Sequence, residues 1–167
     1  MDIMDITTKK FDSTKEYLNQ ISRLNRTIDN KMIELSQLRE LAYGISAISS
    51  GEKIQSSTVY DKVGDVCVKI DEMERNIKKI IDNYIDIKNQ IISQIEGIDK
   101  EVFYEVLFLR HIKQNKQGKQ YSFEEISIEI NNSYRNTTRL YKQALQAFEE
   151  KYGNEYLKQS ESCPIMS

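Results

Sequence analysis

The sequence predicts an all-α protein: a long, coiled-coil-like antiparallel helical hairpin followed by a small three-helix domain. Three observations carry that expectation. The 167 residues include one proline, Pro164, and six glycines, so little in the chain interrupts a helix. Apolar residues recur at alternating spacings of three and four over two stretches of roughly 35 residues, the period of a helical seam. Between residues 98 and 157, helix start and stop signals follow one another closely and divide that region into short helices. Abundant isoleucine favours strands, but period outranks propensity.

Residues 1–12 read as a flexible tail, and residues 13–97 as the hairpin. In its first arm Tyr17, Leu24, Leu38 and Ile45 occupy one heptad position, with Lys31 as the odd member, and Ile21, Ile28, Leu35 and Ala42 occupy the other. A polar connection opens with Ser49-Ser50-Gly51-Glu52-Lys53 and reaches about Ser57. In the second arm the rows are Val63, Ile70, Ile77, Tyr84, Ile91 and Val59, Val66, Met73, Ile80, Ile87. Two seams joined by a short linker are expected to fold back on each other. Ile81, Ile85, Ile92 and Ile95 fall outside the main seam, and a helix with two apolar stripes needs two partners. The second partner is either the C-terminal domain or another copy of the chain, and a homodimer is expected.

Residues 98–157 read as the C-terminal domain. Gly97 marks a break, and Asp99 is expected to cap a helix whose apolar set is Val102, Phe103, Val106, Leu107 and Leu109. The loop from Lys113 to Gln120 follows, and its Lys113, Lys116 and Lys119 suit phosphate contact, as they suit a solvated surface. Ser122 with Glu125 forms a capping box, with Tyr121 and Ile126 placed as a hydrophobic staple. Ile126 and Ile130 share one face of the short helix that follows. Asn131-Asn132 tolerates turn geometry, and Ser133 can cap the last helix. That helix is expected to end near Tyr152, with Gly153 as its stop. Residues 158–167 read as a disordered tail.

The last helix divides into two faces. Thr137, Leu140, Tyr141, Ala144, Leu145 and Phe148 repeat at helical spacing and form the expected buried side. Arg135, Arg139 and Lys142 fall on another face, flanked by Ser133, Tyr134, Asn136 and Thr138 in the first turns. Two helices joined by a short turn, the second carrying such a stripe, form the layout of a helix-turn-helix, whose second helix enters the DNA major groove. Arginine pairs with guanine and asparagine with adenine, so the stripe has the residue types that base readout needs. Arg135, Asn136 and Arg139 are the candidates for base edges; Lys142, Thr138 and the loop lysines are candidates for phosphates. A solvated face of a plain helical bundle would carry a similar pattern. Charge favours DNA: Arg110 to Gln146 holds seven Lys/Arg against three Asp/Glu, in a chain of formal net charge -2.

Other functions find little material. Cys67 and Cys163 are far apart and resemble neither a disulfide framework nor a metal cluster, and Cys67 reads as a small packing residue at the edge of the seam. His111 is the sole histidine, so zinc chemistry and a Ser/His/Asp triad are not expected. The acidic residues lie beside Lys and Arg on helix faces and read as solvated surface. No enzymatic activity, metal or cofactor is expected. No apolar run is long enough to span a membrane, and the acidic start is unlike a signal peptide, so the cytoplasm is the expected location.

The segment from Glu101 to Ile112, followed by Ser-Phe-Glu-Glu-Ile-Ser at 122–127 and then Ser133 to Leu145, resembles region 4 of bacterial sigma factors. More closely, the chain is similar to a phage and prophage family of small regulators of Gram-positive bacteria, related to the ArpU-type late-gene transcription regulators. Tyr17 to Ile28 and Ile70 to Ile77 share in the likeness, which covers roughly Tyr17 to Tyr152. The resemblance implies a helical N-terminal segment joined to a sigma region 4-like helix-turn-helix and, as function, sequence-specific binding of double-stranded DNA to regulate transcription. Glu124-Glu125-Ile126 matches the first helix of that motif, and Ser127 stands where a small residue is usual at the crossing. Ser133 matches the serine that starts the recognition helix, and Ala144-Leu145 the pair that closes the domain. Thr137 departs from the usual aliphatic residue, and the loop Lys113 to Gln120 is longer than the usual turn. No sigma region 2-like segment is evident, so a complete sigma factor is not implied. The competing reading is a protein-interaction module that binds a host protein such as RNA polymerase through the hairpin or through the sigma region 4-like domain.

Overall fold

The structure is a computed structural model and describes residues 10–51 and 57–158. The protein is all-α. Its helices are α1 (Thr14–Gly51), α2 (Ser57–Glu96), α3 (Glu101–His111), α4 (Phe123–Glu129) and α5 (Tyr134–Tyr156). Among the described residues there is no strand, only isolated bridges at Phe11–Leu157 and Gln114–Gln120. Among the described residues no helix is long and apolar enough to cross a membrane. Of the expected polar connection, Ser49 to Gly51 continue α1 and residues 52–56 lie outside the described residues, as do residues 1–9 and 159–167 of the expected tails 1–12 and 158–167.

The chain forms two compact units, and the division runs through α1 and α2. Arg23–Asp86 is one unit. The segment up to Ser22 and the segment from Ile87 onward make the other.

In the Arg23–Asp86 unit the burial follows the heptad rows. Leu35 and Ile77 are buried, and Leu24, Ile28, Leu38, Ala42, Val66, Ile70, Met73, Ile80 and Tyr84 are half-buried, while most intervening positions are exposed. Arg39 Nη2 on α1 meets Glu74 Oε1 on α2 at 2.7 Å. Both side chains are about half exposed, so the pair contributes little stability on its own. Lys31, the odd member of its row, reaches out to Glu34 at 2.8 Å. Cys67 corrects the sequence reading: one residue past Val66 on the helix, it turns away from the seam and is exposed.

The other unit is held partly by an aromatic clasp. Tyr17 stacks on Tyr156 with ring centres 4.1 Å apart, and Phe11 meets the Tyr17 ring edge-on at 5.3 Å. The Phe11 amide donates to Tyr156 O at 2.8 Å, and the Lys158 amide donates to Phe11 O at 3.0 Å. Each polar atom in this apolar site has a partner, as burial requires. Tyr17 Oη donates to Gln94 Oε1 and Gln94 Nε2 to Glu155 Oε2, both at 2.8 Å. Tyr156 Oη donates to Thr14 Oγ1 at 3.0 Å, and Thr14 in turn donates to Glu149. Burial pushes both Tyr17 and Tyr156 up to about 12.

Two sequence expectations change here. Phe11, Asp12 and Lys158, read as parts of loose tails, are docked: Phe11 is buried, Asp12 pairs with Lys158 at 2.9 Å, and the Lys158 amide bonds Phe11 O. Gly153 does not stop α5, which continues to Tyr156; burial of Tyr156 against Tyr17 and Phe148 carries the helix one turn further. Tertiary packing here overrides a local stop signal.

The same unit contains a core formed by α3, α4 and α5. Val106, Leu107, Ile126, Ala144 and Phe148 are fully buried within it. α3 begins one residue later than Asp99 implies: Lys100 is the N-cap, with no side-chain cap, and its carbonyl accepts the Phe103 and Tyr104 amides. Asp99 instead lies 3.6 Å from Lys151. Arg110 ties the end of α3 to the start of α4, donating to Tyr121 O with its guanidinium 4.8 Å over the Phe123 ring.

Candidate nucleic-acid interface

α5 starts where the chain turns a tight corner. Ile130 is the C-cap of α4, Asn131 adopts a φ of 49°, and the Asn132 amide donates to Ser127 O at 2.8 Å. Asparagine is among the few non-glycine residues that visit this left-handed conformation readily. Ser133 is then extended, and its Oγ accepts the Asn136 amide at 3.2 Å, satisfying one of the unpaired donors at the helix start.

The corner is held by α4. Ser122 Oγ accepts the Glu125 amide at 3.2 Å, and Glu125 Oε2 accepts the Ser122 amide at 2.7 Å. Tyr121 and Ile126, the expected staple pair, are both buried. The Ser122 backbone N–H, and then the Asn115 amide, hold the Glu125 carboxyl below its ordinary value.

Packing fixes the rotation of α5. Thr137, Tyr141, Ala144 and Phe148 are buried and Leu140 and Leu145 half-buried, as the sequence predicts for its inner face. Arg135, Arg139 and Lys142 are therefore exposed. With Ser133, Tyr134, Asn136 and Thr138 they line one open surface depression. The Arg135 and Lys142 side chains make no hydrogen bond or ion pair with any described residue. Tyr134, at the first helical position, is 52% exposed, and Ile128 on α4 is 79% exposed.

The polar residues of this surface are internally connected. Arg139 Nη2 donates to Asn136 Oδ1 at 2.7 Å, and Asn136 Nδ2 donates to Asn132 Oδ1 at 2.8 Å. Asn132 Oδ1 also accepts the Ser133 amide at 2.9 Å. The Thr138 hydroxyl donates back to Tyr134 O at 2.9 Å, so its proton is engaged along the helix.

The loop lysines stand apart. Lys113, Lys116 and Lys119 are exposed and are not among the residues lining the depression. Lys113 Nζ lies 5.3 Å over the Tyr121 ring. Asn115 organises the loop: its Oδ1 accepts the Gln117 and Lys119 amides at 3.0 Å, and its Nδ2 reaches Glu125 Oε1 at 3.0 Å. Gly118, at a φ of 71°, supplies the reversal.

Sequence reasoning missed Asn132, Asn115 and Arg110. Asn132 and Asn136 do stand four apart, a spacing at which helical neighbours interact, and that signal was legible. Nothing local announces that Arg110 reaches Tyr121.

Comparison with protein-family models, with curated proteins and with solved structures gives no match. The family resemblance therefore rests on the residues quoted for it.

Proposed function

We propose that this chain is a phage- or prophage-encoded, sequence-specific DNA-binding transcription regulator. On this reading α4, the Asn131–Asn132 corner and α5 act as a helix-turn-helix, and the first turns of α5 lie in the major groove. The observation that carries it is the outward stripe of Arg135, Arg139 and Lys142, two of them without side-chain partners among the described residues, on a capped helix whose rotation is fixed by a buried opposite face. The Arg135 guanidinium and the N–H groups of Arg139 that Asn136 does not hold suit guanine O6 and N7, and an ammonium one turn further suits a phosphate. The sigma region 4-like motifs support the same reading. α1 and α2, as a coiled-coil-like hairpin, would serve self-association or contact with RNA polymerase. No catalytic role is part of the proposal.

The test is selection from a random duplex DNA library at two salt concentrations. A discrete enriched motif is expected, and a two-fold repeat in it would add a dimer with a defined half-site spacing. A library that stays flat, with weak salt-sensitive retention only, defeats the DNA reading.

A second reading, a module that binds a host protein, is favoured by one observation: Met32, Ile33, Leu41 and Tyr43 are large apolar residues exposed on α1. Charge reversal at Arg135 and Arg139 separates the two, because it abolishes function in a DNA reader and spares a binder that uses α1.

A further inference from the structure

We infer that Asn136 does not read a base but orients Arg139 toward a guanine, so that one G·C pair of the target is selected through a two-residue relay. The inference rests on the DNA-binding reading of α5 and goes beyond it by assigning the base and the residue that sets it.

The hydrogen-bond chain fixes its own polarity. Guanidinium and backbone N–H groups can only donate. Arg139 Nη2 therefore must face the oxygen of Asn136, 2.7 Å away. The Ser133 amide likewise must face the oxygen of Asn132, 2.9 Å away. That leaves Asn136 Nδ2 against Asn132 Oδ1, at 2.8 Å, as donor to acceptor. Both ends agree, so the orientation of the Asn136 amide is determined twice over.

Pairing with adenine takes the amide oxygen and an amide N–H of an asparagine together. In Asn136 both are engaged within the first turns of α5, and reading adenine would require it to release Arg139 and Asn132. Arg139 is in the opposite position. One of its five N–H groups is held by Asn136, and no other bond to a described residue engages the rest. A guanidinium anchored at one nitrogen loses less rotamer freedom on meeting guanine O6 and N7 than a free one. The anchor continues into the backbone through Asn132 and the Ser133 amide, so the relay ties side-chain aim to the corner that starts the helix.

The test is selection from the random duplex library with the full chain and four forms: wild type, Asn136→Ala, Asn136→Asp and Arg139→Ala, each first checked for an unchanged melting profile. Arg139→Ala is expected to erase one guanine column of the motif. Asn136→Ala should weaken that same column, roughly three- to tenfold in preference, and leave the other columns as they were. Asn136→Asp keeps an acceptor for Arg139 but loses the Nδ2 donor and sets a carboxylate oxygen against Asn132 Oδ1, so it should retain the guanine column more fully than Asn136→Ala while binding all sequences more weakly. A merely structural role would lower all columns together and gives no such rescue. Two results overturn the relay while the DNA reading stands: Asn136→Ala erasing a separate adenine column, or Asn136→Asp losing the guanine column that Arg139 reads. Absence of any enriched motif for the wild type overturns the DNA reading itself, and the relay falls with it.

Discussion

His111 Nε2 and Tyr141 Oη lie 3.0 Å apart in the core between α3 and α5, with their ring centres 5.8 Å apart in a stacked arrangement. His111 is 3% exposed, and its Nδ1 has no hydrogen-bond partner among the described residues. Burial first, then the nearby charges of Arg110 and Lys15, push the imidazole from 6.5 down to about 3. Tyr141 is pushed up to about 12, mainly by burial, with Arg110 pulling the other way. The core beneath α5 thus holds a neutral imidazole against a neutral phenol.

Acid stability should reveal this pair. The folded state keeps His111 neutral, whereas the unfolded chain binds a proton below about 6.5. Between pH 6.5 and 3 the unfolded state therefore binds more protons, and stability falls as pH falls. The cost approaches about 1.4 kcal/mol per pH unit for one group. From pH 7 to pH 5 that is roughly 2 kcal/mol. His111→Phe removes this contribution and leaves the carboxylates untouched. Urea midpoints at the two pH values should show wild type losing more than the variant by that amount. Equal losses would mean that His111 accepts a proton in the fold.

Thr137 offers a stabilising substitution. Its side chain is fully buried, and its Oγ1 has no partner among the described residues. A buried hydroxyl without a partner costs about 1–3 kcal/mol. Thr137→Val removes the hydroxyl at nearly constant shape and should raise unfolding stability by about 1 kcal/mol. The sequence already marked this position as a departure from an aliphatic residue. A loss of stability in the variant would show that the hydroxyl is bonded in solution.

Much of this architecture was legible because its signals are local. The Ser122–Glu125 box, the Asn131 corner and the Ser133 cap each depend on two or three neighbouring residues, and each forms as the sequence implies. The inner face of α5 was legible for the same reason, since periodicity needs no knowledge of the partner. The misreadings share the opposite cause. Gly153 lies within α5 because of Tyr17, more than a hundred residues earlier in the chain, and Phe11 is docked because of Tyr156. Asp99 was a plausible cap, but the cap falls on the next residue, Lys100, and Lys151 lies beside the Asp99 carboxylate. The candidate site divides in the same way. The exposed arginines follow from helical spacing, while the engagement of Asn136 by Asn132 and Arg139 depends on side-chain geometry that spacing leaves open.

The docked N-terminal strap leads to a third expectation. Phe11 is buried, lies edge-on to Tyr17, and exchanges backbone bonds with Tyr156 and Lys158. Phe11→Ala should destabilise the protein by about 3 kcal/mol, the lower part of the range for a buried phenylalanine, because the strap lies at an edge where the structure can close in. Chemical denaturation measures it. A change below about 0.5 kcal/mol, the size expected at a surface position, would mean that the strap is detached in solution.

The stripe on α5 makes the sharpest demand on the proposed function, because its three cations should not behave alike. Arg135 stands in the first turn of α5, where a helix presented to the major groove meets base edges, and its side chain has no partner among the described residues. Arg135→Ala should cost about 1–3 kcal/mol on the preferred duplex and relax selection at one base pair. Lys142 is two turns further on and carries a point charge with no fork. Lys142→Ala should weaken binding to all sequences about equally and reduce the slope of log affinity against log salt by about 1. Titrations of each variant against the preferred and a scrambled duplex, over a range of salt, read both effects. If Arg135→Ala instead weakens both duplexes equally, Arg135 is a backbone contact and the register of α5 in the groove shifts toward Arg139. If Lys142→Ala changes sequence preference but not the salt slope, the helix enters the groove at a different angle from the one proposed.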